Sequence, residues 1–528
     1  MRGRSLILAV LISFGFCRMA AAQICPARPD VGTAISNPLD LYSQNGTLTL
    51  NLALKSEIGP TGFTHYCYVY MNNGVPVEAP TLRLNPGDQL VINFLNNITA
   101  TGKAPKSRHA QMRPMEMGDA HAAMVTGNDC LGGILTATTT NIHFHGLNVP
   151  PVCHQDDVID TVIPSSAASF QYSLQIPSND RPGLYWYHPH PHGFTAPQVY
   201  GGASGAIIIE GENSLTQGLP ERVLMVRRNV DAVTDDEGQF SLNFEPANSP
   251  VRPLPIINMV AGQKEFWRVV NASTNAFLSL QVLSPAAQNL TLLSVDGIPL
   301  STPQTTATIS LPPAGRAEFT VPGLSAGTQS YFYTSGFDTG PIGDPMPAAY
   351  LAQIVVGTGS SKVPATHQGT APAAAPRFSG IASVKPSAKR SLAFSETNLG
   401  SNGPGQFYIT VEGQTPRLFE ASNPPAIVTR VGAVEDWTIS NRTGEPHAFH
   451  IHQLHFLVLE INGQTVSNPD LQDTITVPPW TGTGAYPSVK VRMDFRDPNI
   501  AGTFVYHCHI LDHEDGGMMA KILVNPAN

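Results

Sequence analysis

Charge is scarce in this chain. Asp, Glu, Lys and Arg make up 13% of its 528 residues, the net charge is −9, and the basic residues are scattered rather than clustered. That excludes the basic footprint of a nucleic-acid-binding protein. Past the N-terminus there is no apolar run of about 20 residues, so no membrane span is expected. Cysteines number only six. What abounds is turn-forming residues, 46 Gly and 46 Pro, in a chain with 42% apolar residues. Low charge with frequent turns favours all-β domains over helical ones. The length exceeds what one hydrophobic core supports, so several domains are expected.

The N-terminus reads "MRGRSLILAVLISFGFCRMAAAQ". Arg2 and Arg4 precede an apolar run from Leu6 to Phe16, and small residues follow at Ala20 to Ala22. This pattern predicts a secretory signal over residues 1–22 and export to the periplasm or the cell exterior. Cys17 leaves with that segment. Cys25, Cys67, Cys130 and Cys153 form an even set in an oxidising compartment, which points to two disulfides. Three pairings are open, and proximity along the chain prefers Cys25–Cys67 with Cys130–Cys153. Five Asn-x-Ser/Thr sequons, at Asn45, Asn97, Asn271, Asn289 and Asn441, matter only in a glycosylating host.

A short pattern recurs three times. In "PGDQLVINFLNN", "AGQKEFWRVVN" and "VGAVEDWTISN", a glycine (Gly87, Gly262, Gly432) stands nine residues before an asparagine (Asn96, Asn271, Asn441). Each reads as a turn, an alternating strand and a polar stop. Regular recurrence predicts three related units, placed at 23–212, 213–372 and 373–528. The second boundary falls in the Pro/Ala-rich stretch that begins at Ser360.

A second repeat carries chemistry. "GLYWYHPH" from Gly183 aligns with "GTFVYHCH" from Gly502, and "NIHFHG" from Asn141 with "FHIHQ" from Phe449. The middle unit has a comparable strand, "SYFYTSG" from Ser330, without histidine. On a strand, residues i and i+2 share a face. His143/His145, His188/His190, His450/His452 and His507/His509 therefore each present two imidazoles side by side, eight of the chain's 17 histidines. Spacing alone leaves the metal open among copper, zinc, iron and nickel. Cys508, between His507 and His509, points to the other face, where His513, Met518 and His447 can join it. Two imidazoles, a thiolate and a weak axial methionine are the ligands of a blue copper centre.

These motifs ("HFHG", "WYHPHPHG", "HAFHIH" and "HCHILDHEDGGMM") resemble those of the multicopper oxidases, specifically three-domain laccase-like enzymes, over nearly the whole mature chain. The resemblance implies an all-β fold of three cupredoxin-like Greek-key β-barrel domains and four copper ions. Type 1 copper would be held by His447, Cys508 and His513, with Met518 axial. Type 2 copper would take His143 and His450. The type 3 pair would take His145, His188, His190, His452, His507 and His509. The implied reaction moves single electrons from phenolic or aromatic donors through the edge of His513, and reduces dioxygen to water at the cluster. Glu514 matches the position of a proton donor in similar enzymes, and Asp156 or Asp157 resembles a second acid of that family. One chain holds every ligand, so a monomer is expected.

The sequence also departs from the family pattern. Ala448 follows His447 where a proline is common; His192 and His455 are extra and read as supporting or structural residues. Met519 competes with Met518, and spacing from Cys508 favours Met518. A segment holding His109, Met112, Met115, Met117, His121 and Met124 reads as a methionine-lined helix packed over the barrel, with a Cu(I) port as the alternative. Cuprous oxidation is accordingly the rival activity. A copper-storing or electron-carrier protein is the rival from another class, although a carrier needs only the Cys508 site. Copper nitrite reductase shares the unit type but usually has two units per chain and lacks the full eight-histidine set.

Overall fold

The computed structural model describes residues 24–527, apart from 60–61, 100, 104–129, 166–167, 230–238, 248–252, 370–375 and 398–404. The signal segment and the whole methionine-rich segment lie outside the described residues. Among the described residues no helix is long and apolar enough to cross a membrane.

The strands assemble into three pairs of facing sheets. In the first pair, one sheet runs in the order 40–42, 81–84, 205–209, 183–188, 143–145, and the other 75–78, 64–72, 47–58, 89–97, 170–175. The middle pair draws on strands between Glu221 and Gly357, and the last pair on strands between Ala388 and Asn525. Each pair encloses its own core. Leu52, Phe94, Tyr172 and Ile207 anchor the first, Trp267, Phe319 and Phe332 the second, and Trp437, Phe449, Tyr506 and Cys508 the third. Both disulfides form as chain proximity prefers, Cys25–Cys67 and Cys130–Cys153.

The Gly-to-Asn repeat has one physical cause in all three units. Gly87, Gly262 and Gly432 turn with φ of 90°, 72° and 96°, a region costly for any residue with a Cβ. Each opens a strand that pairs in parallel with an earlier one: 47–58 with 89–97, 221–229 with 265–271, and 388–397 with 433–441. At its end a buried asparagine ties down the loop that follows. Asn271 Nδ2 donates to the carbonyls of Ala276, Leu311 and Pro312, while Asn96 and Asn441 each bind two carbonyls in the same way. The sequons at Asn271 and Asn441 are thus not accessible to glycosylation in the folded chain, whereas Asn45, Asn97 and Asn289 are exposed. Replacing Asn271 with alanine removes one donor from each of three carbonyls, of which Pro312 and Ala276 keep another, and should lower stability by about 1–3 kcal/mol. Urea unfolding of the variant checks this by a lower midpoint at unchanged slope.

The His-x-His motifs sit at equivalent places in the outer units. His143 lies opposite His188 on paired strands 143–145 and 183–188, as His450 lies opposite His507 on 447–451 and 502–508. In the middle unit, strands 278–283 and 330–334 pair in the same way but present Leu, Val, Phe and Thr. The histidine-bearing strand pairs of the two outer units come together, and the middle unit is left to support them.

Candidate metal centre

At the end of strand 502–508, the Cys508 side chain turns into the third core and meets two imidazoles. Cys508 Sγ lies 3.6 Å from His447 Nδ1 and 3.9 Å from His513 Nδ1, and the two nitrogens are 3.2 Å apart. The centre of such a triangle is about 2.1 Å from each corner, near the ~2.0–2.3 Å that imidazole and thiolate make with a first-row metal. The far nitrogens are held: His447 Nε2 by Thr443 Oγ1 at 2.7 Å, and His513 Nε2 by Glu445 at 3.2 Å. Phe407 stacks on His513 at 4.3 Å. Cys508 is fully buried, and burial pushes its thiol pKa up, so a thiolate there calls for a cation beside it. Met518 packs in the cluster that holds Cys508, whereas Met519 packs against Phe419 and Val505 elsewhere.

On the other face of the strand, eight imidazoles from the two outer units converge, none more than 1% exposed. His143 stacks on His452 at 3.8 Å and His145 on His450 at 4.0 Å, so the units interleave. His507 Nε2 lies 3.3 Å from His190 Nε2 and 3.2 Å from His452 Nε2. Five of the rings have one nitrogen tied back to the protein. His143 Nδ1 meets Asp156, His188 Nδ1 the Pro189 carbonyl, and His507 Nδ1 the Cys508 carbonyl. His145 Nε2 meets the Asp473 carboxylate, and His450 Nδ1 the Asp473 carbonyl. Buried nitrogens without a protein partner remain on His143 (Nε2), His145 (Nδ1), His188 (Nε2), His450 (Nε2), His452 (Nδ1) and His509 (both). Buried polar atoms are rarely orphaned unless something else satisfies them. Burial and the neighbouring rings push these histidines below their usual pKa, to about 4 at His145 and about 3 at His507. Neutral rings with free lone pairs, oriented by their other nitrogen, suit a cluster of metal ions.

The two candidate aspartates separate clearly. Asp156 is buried, accepts the Phe144 N–H, lies 3.0 Å from His143 Nδ1 and receives the Gln453 amide from the last unit. Asp157 instead accepts the N–H groups of Ile159 and Asp160, closing its own turn. Glu514 lies 3.2 Å from His507 Nδ1 and 3.5 Å from His190 Nδ1, and burial with the nearby Asp515 carboxylate raises its pKa well above the usual range. Of the extra histidines, His192 packs edge-on against Phe419, and His455 lies 3.3 Å from Asp473. Asp473 also stands at this site, surrounded by Arg316 and Asp296. No local motif marks them, because they lie far apart in the chain.

A pocket opens beside His513. Phe277, Met346, Pro446 and Ile510 form its apolar walls, and Glu445, Asp344 and Asp512 its acidic side. Burial, followed by the Glu396 and Asp344 charges, pushes the Glu445 pKa up to about 9.

Three family models, each described as multicopper oxidase, match residues 135–214, 186–354 and 397–528. A multicopper oxidase of Staphylococcus haemolyticus is 23% identical over 90% of this chain and 88% of its own. Laccase-2 of Podospora anserina is 23% identical over 97% and 84%. Among solved structures, a multicopper oxidase from Campylobacter jejuni described as a metallo-oxidase superposes with a TM-score of 0.67 at 22% identity, covering 94% and 96% of the two chains.

Proposed function

The chain belongs to the multicopper oxidase family, and from that premise we propose that it oxidises phenolic or related aromatic donors one electron at a time and reduces dioxygen to water. It is an oxidoreductase that carries copper. Type 1 copper would be held by His447, Cys508, His513 and Met518, and type 2 copper by His143 and His450. The type 3 pair falls to two trios, His190, His452 and His507, and His145, His188 and His509. The close approach of the first trio's ligand atoms and the orphaned nitrogens in the rest support this division. Copper bound there would supply one-electron acceptance beside Cys508 and four-electron chemistry on dioxygen at the cluster.

The chain's own residues do the rest. Cys508 is bonded through the backbone to His507 and His509, so a continuous covalent path joins the two sites, and its carbonyl, 3.0 Å from His507 Nδ1, offers a shorter route through a hydrogen bond. Glu514, kept protonated by burial, holds a proton against His190 and His507. Asp156 holds the His143 ring at Nδ1. Glu514→Gln should lower turnover by about 10²-fold or more while the blue absorption stays unchanged, as stopped-flow reoxidation by dioxygen would register.

The observation that carries the donor assignment is the pocket at His513. Its apolar walls fit an aromatic ring, and Glu445 stands at the imidazole edge where, in its ionised form, it can take the phenol's proton as the electron leaves; with its pKa pushed up to about 9, that role favours turnover at alkaline pH. A second reading, Cu(I) oxidation, rests on the Met346 thioether and the carboxylates in the same pocket. Oxygen uptake with a dimethoxyphenol and with Cu(I), on wild type, Glu445→Gln and Met346→Leu, separates them. Fast phenol turnover that falls with Glu445→Gln and ignores Met346→Leu supports the phenol reading. Efficient Cu(I) turnover that falls with Met346→Leu, beside slow phenol turnover, overturns it. The N-terminal segment and two disulfides support export, and a single chain supplies every proposed ligand of a monomeric enzyme.

A further inference from the structure

We propose that Arg316, from the unit that carries no histidine pair, positions two cluster imidazoles through Asp473, so that the middle unit is part of the metal site. The inference rests on the copper reading above. Arg316 is fully buried and grips Asp473 with both arms, Nη1 to Oδ1 at 2.7 Å and Nη2 to Oδ2 at 2.6 Å. Its Nε donates to the Leu184 carbonyl, on the strand that ends in His188, and its Nη2 also donates to the Asp296 carbonyl. One guanidinium thus touches all three units.

Asp473 passes that restraint on. Its Oδ1 lies 3.3 Å from His145 Nε2, and its carbonyl lies 2.8 Å from His450 Nδ1. Thr474 Oγ1 bridges the same two groups, 2.9 Å from Asp473 Oδ1 and 3.2 Å from His450 Nδ1. Asp296 Oδ2 receives the backbone N–H groups of Asp473 and Thr474, and the extra histidine, His455, spans the Asp296 carbonyl and Asp473 Oδ2. The site leaves no slack: a Cβ on Gly146 would lie 2.5 Å from Arg316 Nη2 and 2.8 Å from Asp473 Oδ2.

The chemistry follows from geometry. A planar, two-armed Arg–carboxylate pair fixes the plane of the carboxylate, which a lysine, a single point charge, does not. A fixed carboxylate on one ring nitrogen sets which nitrogen the imidazole offers to a metal, and loss of such partners typically weakens metal binding about 10–100-fold. Here the nitrogens left facing the cluster are His145 Nδ1 and His450 Nε2. These two rings stack on each other, so one shift moves both.

The test uses the full-length, copper-loaded protein with Arg316→Lys and Asp473→Asn, and Arg268→Lys as control. Arg268 is another largely buried arginine of the middle unit, but it pairs with Glu221 and Glu318 rather than with a partner of the histidines. Copper per chain under chelator challenge and the type 2 EPR signal are read against the blue absorption from Cys508. We expect both site variants to keep the blue band, to release cluster copper at about 10–100-fold lower chelator, and to show an altered type 2 signal. The control should match wild type. Wild-type retention and signal in Asp473→Asn overturn the proposal even if Arg316→Lys fails to fold, and so does equal loss in the control. Wild type that takes up no copper fails at the copper reading itself, a result distinct from both.

Discussion

Cys508→Ser should abolish the blue absorption and lower donor oxidation by more than about 10³-fold, a loss of over ~4 kcal/mol in transition-state stabilisation. The thiol is the one sulfur in a triangle otherwise made of His447 and His513 nitrogens, and a serine hydroxyl is a poor ligand for a soft metal. Serine is smaller and fits the buried position, so the fold should persist. Because the eight histidines lie on the opposite face of the strand, the variant should retain their copper. Metal analysis and absorption spectra on one sample check both halves. A variant that keeps the blue band would place the type 1 site elsewhere.

His190→Ala should give the mirror image. His190 belongs to the trio with His452 and His507, stands beside Glu514, and makes no contact with Cys508. Electrons should still enter at His513, so a donor added without oxygen should bleach the blue band. Oxygen should then fail to restore it, and steady turnover should fall by at least about 10³-fold. Stopped-flow absorption separates the two half-reactions. Reoxidation at the wild-type rate would contradict the placing of dioxygen at the histidine cluster. Together the two variants divide the enzyme into an electron entry and an oxygen site.

The parts of this arrangement legible in the sequence are those set by local rules. A two-residue period puts His507 and His509 on one strand face and Cys508 on the other, whatever the rest of the chain does. The Gly-to-Asn repeat is visible because a left-handed turn and a loop-fastening amide recur nine residues apart in each unit. Adjacent acids were harder. Asp156 and Asp157 are indistinguishable by position, and only the fold shows one carboxylate at His143 and the other closing its own turn. The Arg316–Asp473 pair spans 157 residues and two units, and no period or motif links its members. Its only trace in the sequence was His455, an extra histidine with no pair of its own.

On the proposed reading, one chain holds an isolated copper at Cys508 and a three-copper cluster at the histidines. Counting total copper against EPR-detectable copper in the resting, copper-loaded protein distinguishes this arrangement from any other. Four coppers per chain are expected, with total copper about twice the EPR-detectable amount because a type 3 pair would be spin-coupled and silent. One signal should belong to the blue site and one to type 2 copper. A single copper per chain, or four that are all EPR-detectable, would contradict it.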